Sequence, residues 1–253
     1  MDGIRKIMND NRICVIVPTY NNASTIVDVL TRINHQTENI IVVVDGSTDT
    51  TNQQLKSLPF VVDVVSYKDN KGKGTALVKG FKRAIKQGFE YALTIDADGQ
   101  HFPEDIPVLI NAFTDNRDAL IVGCRNLRED NMPAGSTFAN KFSNFWFRIQ
   151  TGISLGDTQS GYRLYPLSRL PHIGLITSRY ESELELLVFS AWKGLKIVPV
   201  SVRVYYPPVE ERVSHFRPFA DFGRISLLNT LLCFGAVVYG YPLLLFKKMR
   251  RRR

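Results

Sequence analysis

Cysteine is scarce in this sequence, and the three residues present are not arranged as a metal site. Cys14, Cys124 and Cys233 each lie in an apolar run, their number is odd, and no two have Cys-x-x-Cys spacing. This pattern argues against a disulfide scaffold and against a structural zinc module. We therefore expect buried free thiols in a reducing compartment.

Two common phosphate-binding fingerprints are also missing. No Gly-x-Gly-x-x-Gly motif follows the first apolar run, so the turn of a dinucleotide-binding fold is absent. The stretch Gly72-Lys73-Gly74-Thr75 ends like a P-loop, but the first glycine of that motif would fall at residues 66 to 67, which are Ser and Tyr. Two interpretations of this loop stay open: it binds an oxyanion through backbone N–H groups and lysine, or it is a solvated turn.

Positive charge is sparse outside the last seven residues. The formal net charge is +8, but residues 247–253 contain six positive charges, which leaves +2 for the rest of the chain. A basic run beside an apolar stretch is more typical of contact with anionic lipid headgroups, so we expect no nucleic-acid partner. Residues 1–12 are polar and contain no signal-peptide core, so we expect the catalytic part to stay in the cytoplasm.

Short apolar runs alternate with segments of helical spacing along most of the chain. The runs predict strands at 13–17, 40–44, 61–66, 91–95, 119–124 and 196–204. This alternation predicts right-handed crossovers and a mostly parallel central sheet flanked by helices, a Rossmann-like α/β fold. We expect a polar N-terminal extension at 1–12, a catalytic domain at 13–218, and an apolar helical segment with a basic tail at 219–253.

Polar residues follow the predicted strands at the points where the strands end. They are Thr19 to Asn21, Asp45, the Gly72 to Thr75 loop, and the pair Asp96 and Asp98. Ligands of parallel sheets bind at the carboxyl ends of the strands, so we expect these groups to share one site. Two carboxylates one residue apart, with Gln100 nearby, suit a hard cation such as Mg²⁺ or Mn²⁺. The alternative is that Asp96 and Asp98 cap the helix that Pro103 begins.

Four segments together resemble glycosyltransferase family 2 and occur in the order expected for that family. They are Val15–Asn21, Val44–Thr51, Asn70–Gly74 and Asp96–Asp98. The resemblance covers about residues 13 to 205 and implies the GT-A fold, a nucleotide-sugar donor (UDP- or GDP-linked) and inversion at the anomeric carbon. Three further segments are most similar to polyprenyl-phosphate sugar synthases of the dolichyl-phosphate mannose synthase type: Asp96–His101, Gly123–Arg125 and Ser160–Arg163.

The sequence differs from the motifs of the family that it resembles at two places. The late Arg-Trp pair of processive synthases is absent, which favours transfer of a single sugar. Where the polyprenyl-phosphate enzymes have a basic loop with glycine and lysine, this chain has Glu211–Arg217. The loop keeps its basic character but not its pattern, so the acceptor has two interpretations, a lipid phosphate or a hydroxyl.

The resemblance implies a role for each residue of these motifs. The nucleotide sugar would be bound by Pro18, Thr19, Tyr20, Asn21, Asp45, Gly72, Lys73, Asp96, Ala97 and Asp98. Mg²⁺ or Mn²⁺ would be held by Asp96, Asp98 and Gln100. The acceptor phosphate would be bound by Arg125, Ser160, Arg163, Arg212, His215 and Arg217. A structural ion pair is the alternative for Arg125 and Arg163, and a plain surface position is the alternative for His215.

The acceptor decides whether the reaction needs a base. A polyprenyl phosphate, which the resemblance favours, is already anionic at neutral pH, whereas a hydroxyl of a glycolipid or glycan must lose a proton. The residues expected to act in catalysis are Asp98, Arg125, Asp157, Arg163 and Glu181. Asp157, Glu181 and Glu183 are candidate bases for a hydroxyl, and a turn or a solvated helix face is their alternative. A non-catalytic nucleotide-sugar-binding relative is the other alternative, against which the intact Asp96 and Asp98 argue.

The segment Ile225–Phe246 contains no charged residue. Its 22 residues are long enough to span a bilayer. A single crossing from a cytoplasmic domain would export the six positive charges of the tail, against the positive-inside tendency. We expect Gly235, Gly240 and Pro242 to break the segment into a re-entrant or interfacial pair at the cytoplasmic face of the membrane, a monotopic attachment. A buried core helix is the alternative.

Overall fold

The computed structural model describes residues 2–126, 134–170, 175–206 and 218–250. Three residues expected near the acceptor phosphate, Arg212, His215 and Arg217, lie outside the described residues. The strands are β1 Ile13–Thr19, β2 Ile40–Asp45, β3 Asp63–Tyr67, β4 Tyr91–Thr94, β5 Ala119–Arg125, β6 Arg163–Pro166 and β7 Lys196–Val202. The first α-helices are α1 Asp2–Asp10, α2 Ile26–Asn34, α3 Thr51–Lys56, α4 Lys73–Lys86 and α5 Ile106–Asp115. They are followed by α6 Ala134–Thr151, α7 Glu181–Trp192, α8 Pro218–Gly235 and α9 Tyr241–Arg250.

The strands form one sheet in the order β3-β2-β1-β4-β6-β5-β7. β1 is parallel to β2 and β4, β2 is parallel to β3, and β5 is parallel to β7. Only β6 runs antiparallel to its two neighbours in the described sheet. The expectation of a mostly parallel α/β sheet is confirmed, and the carboxyl ends of β1, β2 and β4 lie side by side.

Helices cover both faces of the sheet. Residues of α4, α6 and α7 form one apolar layer, and residues of α1, α2 and α5 form the other. Helix α4 approaches β1 closely because Gly80 has no side chain: a Cβ there would lie 2.6 Å from Cγ2 of Ile16. The expected N-terminal extension contains helix α1, whose Met8 is fully buried in the second layer. No cysteine of the chain forms a disulfide; Cys14 is buried as expected, whereas Cys124 and Cys233 are only half-buried.

The apolar C-terminal segment folds differently from the expectation. A π-helical turn, Ala236–Gly240, joins α8 to α9, so the expected break at Gly235, Gly240 and Pro242 does not form. The glycines permit close packing instead, since a Cβ on Gly240 would lie 2.5 Å from Nε1 of Trp192 on α7. The stretch Gly223–Lys247 is a helix of 25 residues that is long and apolar enough to cross a membrane.

Candidate active site at the carboxyl ends of the strands

The loops after β1 and β2 are fastened to each other by side chains of the predicted donor site. The side-chain oxygen of Asn21 accepts hydrogen bonds from the backbone N–H groups of Thr48 (2.8 Å) and Asp49 (3.3 Å). Its own backbone N–H donates to Oγ of Ser47 at 3.0 Å, and its φ of +53° is one that asparagine tolerates. Asn21 therefore shapes the wall of the cleft. Pro18 and Thr19 end β1 beside it, buried, and Tyr20 follows half-buried.

Asp45 orders the glycine loop that precedes α4. Its carboxylate accepts the backbone N–H groups of Lys71 (2.7 Å) and Gly72 (2.8 Å). Gly72 has a φ of +94°, a left-handed conformation that favours glycine. Asp45 and Gly72, both predicted to bind the nucleotide sugar, are thus in direct contact. The loop ends at Lys73, which is the first residue of α4.

Lys73 lies between two carboxylates at the floor of the cleft. Its Nζ is 2.7 Å from Oδ1 and 2.9 Å from Oδ2 of Asp96, and 2.9 Å from Oε2 of Glu183 on α7. Burial alone would lower the pKa of the Lys73 ammonium, but the two carboxylates outweigh burial and hold this pKa above its ordinary value. The same ammonium outweighs burial at Asp96 and keeps the pKa of that carboxyl below its ordinary value. Lys73 and Asp96 are therefore both charged at neutral pH.

Asp98 projects into solvent at the same edge of the sheet. Its Oδ1 accepts the backbone N–H of Gln100 at 3.0 Å, and Ala97 between the two aspartates is buried. No group of three His, Cys, Asp or Glu side chains among the described residues could hold a metal by itself. The available donors are carboxylate and amide oxygens from Asp96, Asp98 and Gln100, which suit Mg²⁺ or Mn²⁺ when phosphate oxygens complete the shell.

The charge of this cluster also fits a divalent cation. The carboxyl groups of Asp96, Asp98 and Glu183 lie at this edge with a single ammonium, that of Lys73; burial and the neighbouring Asp96 carboxylate raise the pKa of Asp98 to about 6, still below neutral pH. Next to them His101 is buried, and burial lowers its pKa to about 4 even though the Asp96 carboxylate opposes this shift. His101 is therefore neutral at neutral pH and leaves the negative excess in place.

Arg125 and Asp157 form a buried ion pair. The Nε and Nη2 atoms of Arg125 lie 2.6 Å and 3.0 Å from the two carboxylate oxygens of Asp157, which is fully buried. The same carboxylate accepts Nδ2 of Asn140 and the backbone N–H groups of Gln159 and Ser160. Burial raises the pKa of Asp157, but Arg125 and these donors outweigh it and keep it low. Asp157 thus has the contacts of a structural anion, which favours the alternative of a structured turn over the role of a base.

Arg163 also makes its hydrogen bonds in the interior of the protein. Its side chain is fully buried, and its guanidinium donates to the backbone carbonyls of Ser160 (2.7 Å), Glu183 (2.7 Å) and Thr158 (2.8 Å). A guanidinium buried with three carbonyl partners favours the alternative of a structural role for Arg163 over contact with a phosphate. It fastens the turn at 157–161 to the first turn of α7.

The three acids at the start of α7 differ in what they contact. Glu185 is fully buried and accepts the backbone N–H groups of Ile176 (2.7 Å) and Thr177 (2.9 Å), so it anchors the preceding loop. Glu183 pairs with Lys73. Glu181 opens the helix and is 8% exposed. From the sequence, Glu183 was expected only as a candidate base for a hydroxyl acceptor. Its ion pair with Lys73 was not expected.

Comparison with known proteins identifies the family of this chain. The family described as "Glycosyl transferase family 2" matches residues 14–165. A UDP-N-acetylglucosamine–dolichyl-phosphate N-acetylglucosaminyltransferase from Methanococcus voltae is 33% identical over 79% of this chain and 88% of its own length. A polyprenol monophosphomannose synthase from Mycolicibacterium smegmatis is 30% identical over 76% of each chain.

A solved structure supports the fold at lower identity. Glucosyl-3-phosphoglycerate synthase from Mycobacterium tuberculosis, crystallised with Mn²⁺, UDP and phosphoglyceric acid, aligns with a TM-score of 0.67 and 19% identity. The alignment covers 93% of this chain and 81% of that one. With the family match, the relatives and the arrangement of the cleft taken together, this chain is a glycosyltransferase that belongs to glycosyl transferase family 2.

Proposed function

We propose that this protein transfers one sugar from a nucleotide sugar to a polyprenyl phosphate, with inversion, at the cytoplasmic face of a membrane. The choice of acceptor rests on one observation: two of the candidate bases, Asp157 and Glu183, are each engaged in an ion pair. Asp157 is held by Arg125, and Glu183 is held by Lys73. A phosphate acceptor needs no base because its oxygen is already anionic, so these pairings do not hinder the reaction. The names of the relatives from M. voltae and M. smegmatis support the same acceptor.

The donor half of the reaction would use the cleft above β1, β2 and β4. Asp45 and the loops at 19–21 and 70–72 form the wall for the nucleoside, and Lys73 supplies positive charge for the diphosphate. Asp96, Asp98 and Gln100 would hold Mg²⁺ or Mn²⁺, which neutralises the charge that grows on the departing diphosphate. The similar structure that contains both Mn²⁺ and UDP supports this arrangement.

The transfer itself exchanges two carbon–oxygen bonds. An anionic oxygen of the acceptor phosphate forms a bond to the anomeric carbon, while the bond from that carbon to the diphosphate breaks with its electron pair on the diphosphate. Attack from the face opposite the leaving group inverts the configuration, and the carbon has oxocarbenium character between the two. Lys73 is the cationic side chain at the floor of this cleft that could contact the departing oxygen.

The C-terminal helix supports attachment to one membrane face. Buried residues at helical spacing, Leu228, Leu232 and Ala236, pack on α6 and α7. The opposite side presents large apolar residues: Leu227, Leu231, Phe234, Val237, Val238, Leu245 and Phe246 are all more than half exposed. Near its end, Tyr241 donates to the carbonyl of Ile149, and Lys247 donates to the carbonyl of Lys193. A helix docked on the domain from Leu228 to Lys247 would have to leave the domain in order to span the bilayer, so we propose that it lies in the interface.

A donor-by-acceptor assay tests this function. Purified protein with Mg²⁺ or Mn²⁺ receives labelled UDP- and GDP-sugars, with and without polyprenyl phosphate, and Asp98→Ala is the inactive control. We expect label in the lipid-phosphate fraction, lost in Asp98→Ala, and the labelled donor identifies the sugar. Transfer only to a hydroxyl of a glycolipid or glycan would overturn the acceptor. Failure to bind UDP or GDP with Mn²⁺ would indicate a non-catalytic relative.

Membrane attachment has a separate test. Protease added outside sealed cells should leave the basic tail intact while the protein cofractionates with membranes. Cleavage of the tail from outside would show a spanning helix and overturn the monotopic arrangement.

A further inference from the structure

Lys73 occupies the carboxylate that a divalent cation would need. Its Nζ contacts both oxygens of Asp96, at 2.7 Å and 2.9 Å, so neither oxygen is without a cationic partner. Only 15% of the Lys73 side chain and 24% of the Asp96 side chain are exposed. A cation that arrives at Asp96 would therefore meet an ammonium held there with little competing water.

Glu183 is placed to receive this ammonium. Its Oε2 is already 2.9 Å from Nζ of Lys73, and its Oε1 is a buried oxygen without a hydrogen-bond partner. An unpartnered buried carboxylate oxygen is unfavourable, so Glu183 has unused capacity to accept from Lys73. Its backbone is fixed in place by the Arg163 guanidinium, which donates to the Glu183 carbonyl at 2.7 Å.

Gly161 closes the space around the three charged groups. A Cβ on Gly161 would lie 2.8 Å from Oδ2 of Asp96, 2.8 Å from Nζ of Lys73 and 2.9 Å from Oε1 of Glu183. The backbone therefore packs directly against all three groups on that side. Within this enclosure, Glu183 is the second carboxylate that Lys73 already touches, and a short shift of Nζ from Asp96 towards Glu183 keeps the ammonium paired.

We propose that Lys73 holds the Asp96 carboxylate in the unliganded protein, and that Glu183 is the positioning residue that takes the ammonium over when a divalent cation binds Asp96. This inference rests on the proposed donor and cation site at Asp96 and Asp98. The cation alone must displace Lys73, whereas a cation that arrives with a nucleotide diphosphate brings anionic oxygens that also attract the displaced ammonium.

The test measures Mn²⁺ binding by the electron paramagnetic resonance signal of free Mn²⁺, with and without UDP. We expect Lys73→Gln to bind Mn²⁺ alone about tenfold more tightly than the unchanged protein, because its competitor for Asp96 is gone. We expect Glu183→Gln to bind Mn²⁺ several-fold more weakly. In the double variant the loss caused by Glu183→Gln should disappear, because Glu183 acts through Lys73. Lys82→Gln, an exposed position on the same helix with the same loss of charge, is the matched control and should bind Mn²⁺ like the unchanged protein.

Each outcome decides the inference. Equal Mn²⁺ affinity in Lys73→Gln and Lys82→Gln overturns it, as does a loss in Glu183→Gln that persists undiminished in the double variant, since Glu183 would then act on the cation directly. If the unchanged protein binds no Mn²⁺ even with UDP, the cation site of the proposed function fails as well. If Lys73→Gln does not fold, as judged by circular dichroism, Glu183→Gln alone still decides: Mn²⁺ affinity equal to that of the unchanged protein overturns the inference.

Discussion

The two halves of the sheet differ in how far their charged side chains are paired. At the strand ends of the first half, residues 13–115, the carboxylates outnumber the cations: Lys73 pairs with Asp96 and also with Glu183 of α7, while the carboxylate of Asp98 accepts a backbone N–H. In the second half, residues 119–202, two buried arginines are matched internally: Arg125 pairs with Asp157, and Arg163 donates to three carbonyls. An excess of carboxylates in a cleft attracts a cation, whereas a matched pair in the interior holds the chain in place. Charged residues would therefore serve binding in the first half, while they stabilise the fold in the second.

Replacement of Asp157 is expected to have the largest effect, and it tests whether the buried charges of the second half stabilise the fold. We expect Asp157→Asn to lower the free energy of unfolding by about 4 kcal/mol, because Arg125 would stay buried without its counter-charge. Urea unfolding measures this loss. Asp118→Asn, an exposed acid 3.9 Å from Arg169, is the control and should change stability by less than about 0.5 kcal/mol. A variant as stable as the parent but inactive would make Asp157 a catalytic group.

Removing Asp98 tests the other half. We expect Asp98→Asn to keep the unfolding transition of the parent, since its carboxylate is exposed and binds one backbone N–H. Sugar transfer should fall about a thousandfold, because the developing charge on the diphosphate loses its neutralising partner. Activity and urea unfolding measured on the same preparation separate the two effects. Loss of stability with activity retained would place Asp98 among the structural anions of the second half.

His101 lies where the two halves meet. It pairs with Val204 in an antiparallel bridge, and the centroid of its ring lies 5.2 Å from the centroid of the Tyr162 ring. Its pKa is lowered to about 4 by burial, so the unfolded chain binds a proton near pH 6.5 that the native protein does not. The contribution of His101 to stability should therefore fall as the pH drops from about 6.5 to about 4, by roughly 3 kcal/mol at most, while Asp98, whose pKa is raised to about 6, contributes a slope of the opposite sign. Urea unfolding in EDTA at several pH values measures this slope, and His101→Gln should flatten it. An unchanged slope in the variant would assign the effect to another group.

Much of the first half follows from local sequence. The apolar runs and the turn residues after them are short-range signals, so the strands and the edge that carries Asp45, Asp96 and Asp98 could be predicted. The partners of Arg125 and Arg163 could not, because Asp157 lies 32 residues from Arg125 and the carbonyls that bind Arg163 become neighbours only when β6 packs beside α7. Residue type indicates a charge, but the tertiary structure decides whether that charge is already matched.

Helix α7 shows the same limit. Glu181, Glu183 and Glu185 lie two residues apart on a helix, so they point in different directions and were expected to lie on a solvated face or to include a base. All three are buried, and only the packing of α7 on α4 directs Glu183 to Lys73. At the C-terminus, the glycines and proline that predicted a break are accommodated by a π-helical turn, because contact with Trp192 outweighs local preference.

The smallest expected effect concerns how the C-terminal helix joins the second half. Gly240→Ala would place a Cβ 2.5 Å from Nε1 and 2.6 Å from Cε2 of Trp192, and Nε1 already donates to the carbonyl of Gln150 at 2.7 Å. We expect this overpacking to lower the free energy of unfolding by about 2 kcal/mol and to change Trp192 fluorescence. Gly223→Ala on the same helix meets nothing within 4 Å, so higher helix propensity should leave stability equal or raised by up to about 1 kcal/mol. If Gly240→Ala behaves like Gly223→Ala, the helix is not docked on Trp192 in solution, and its exposed apolar face loses its fixed orientation relative to the cleft.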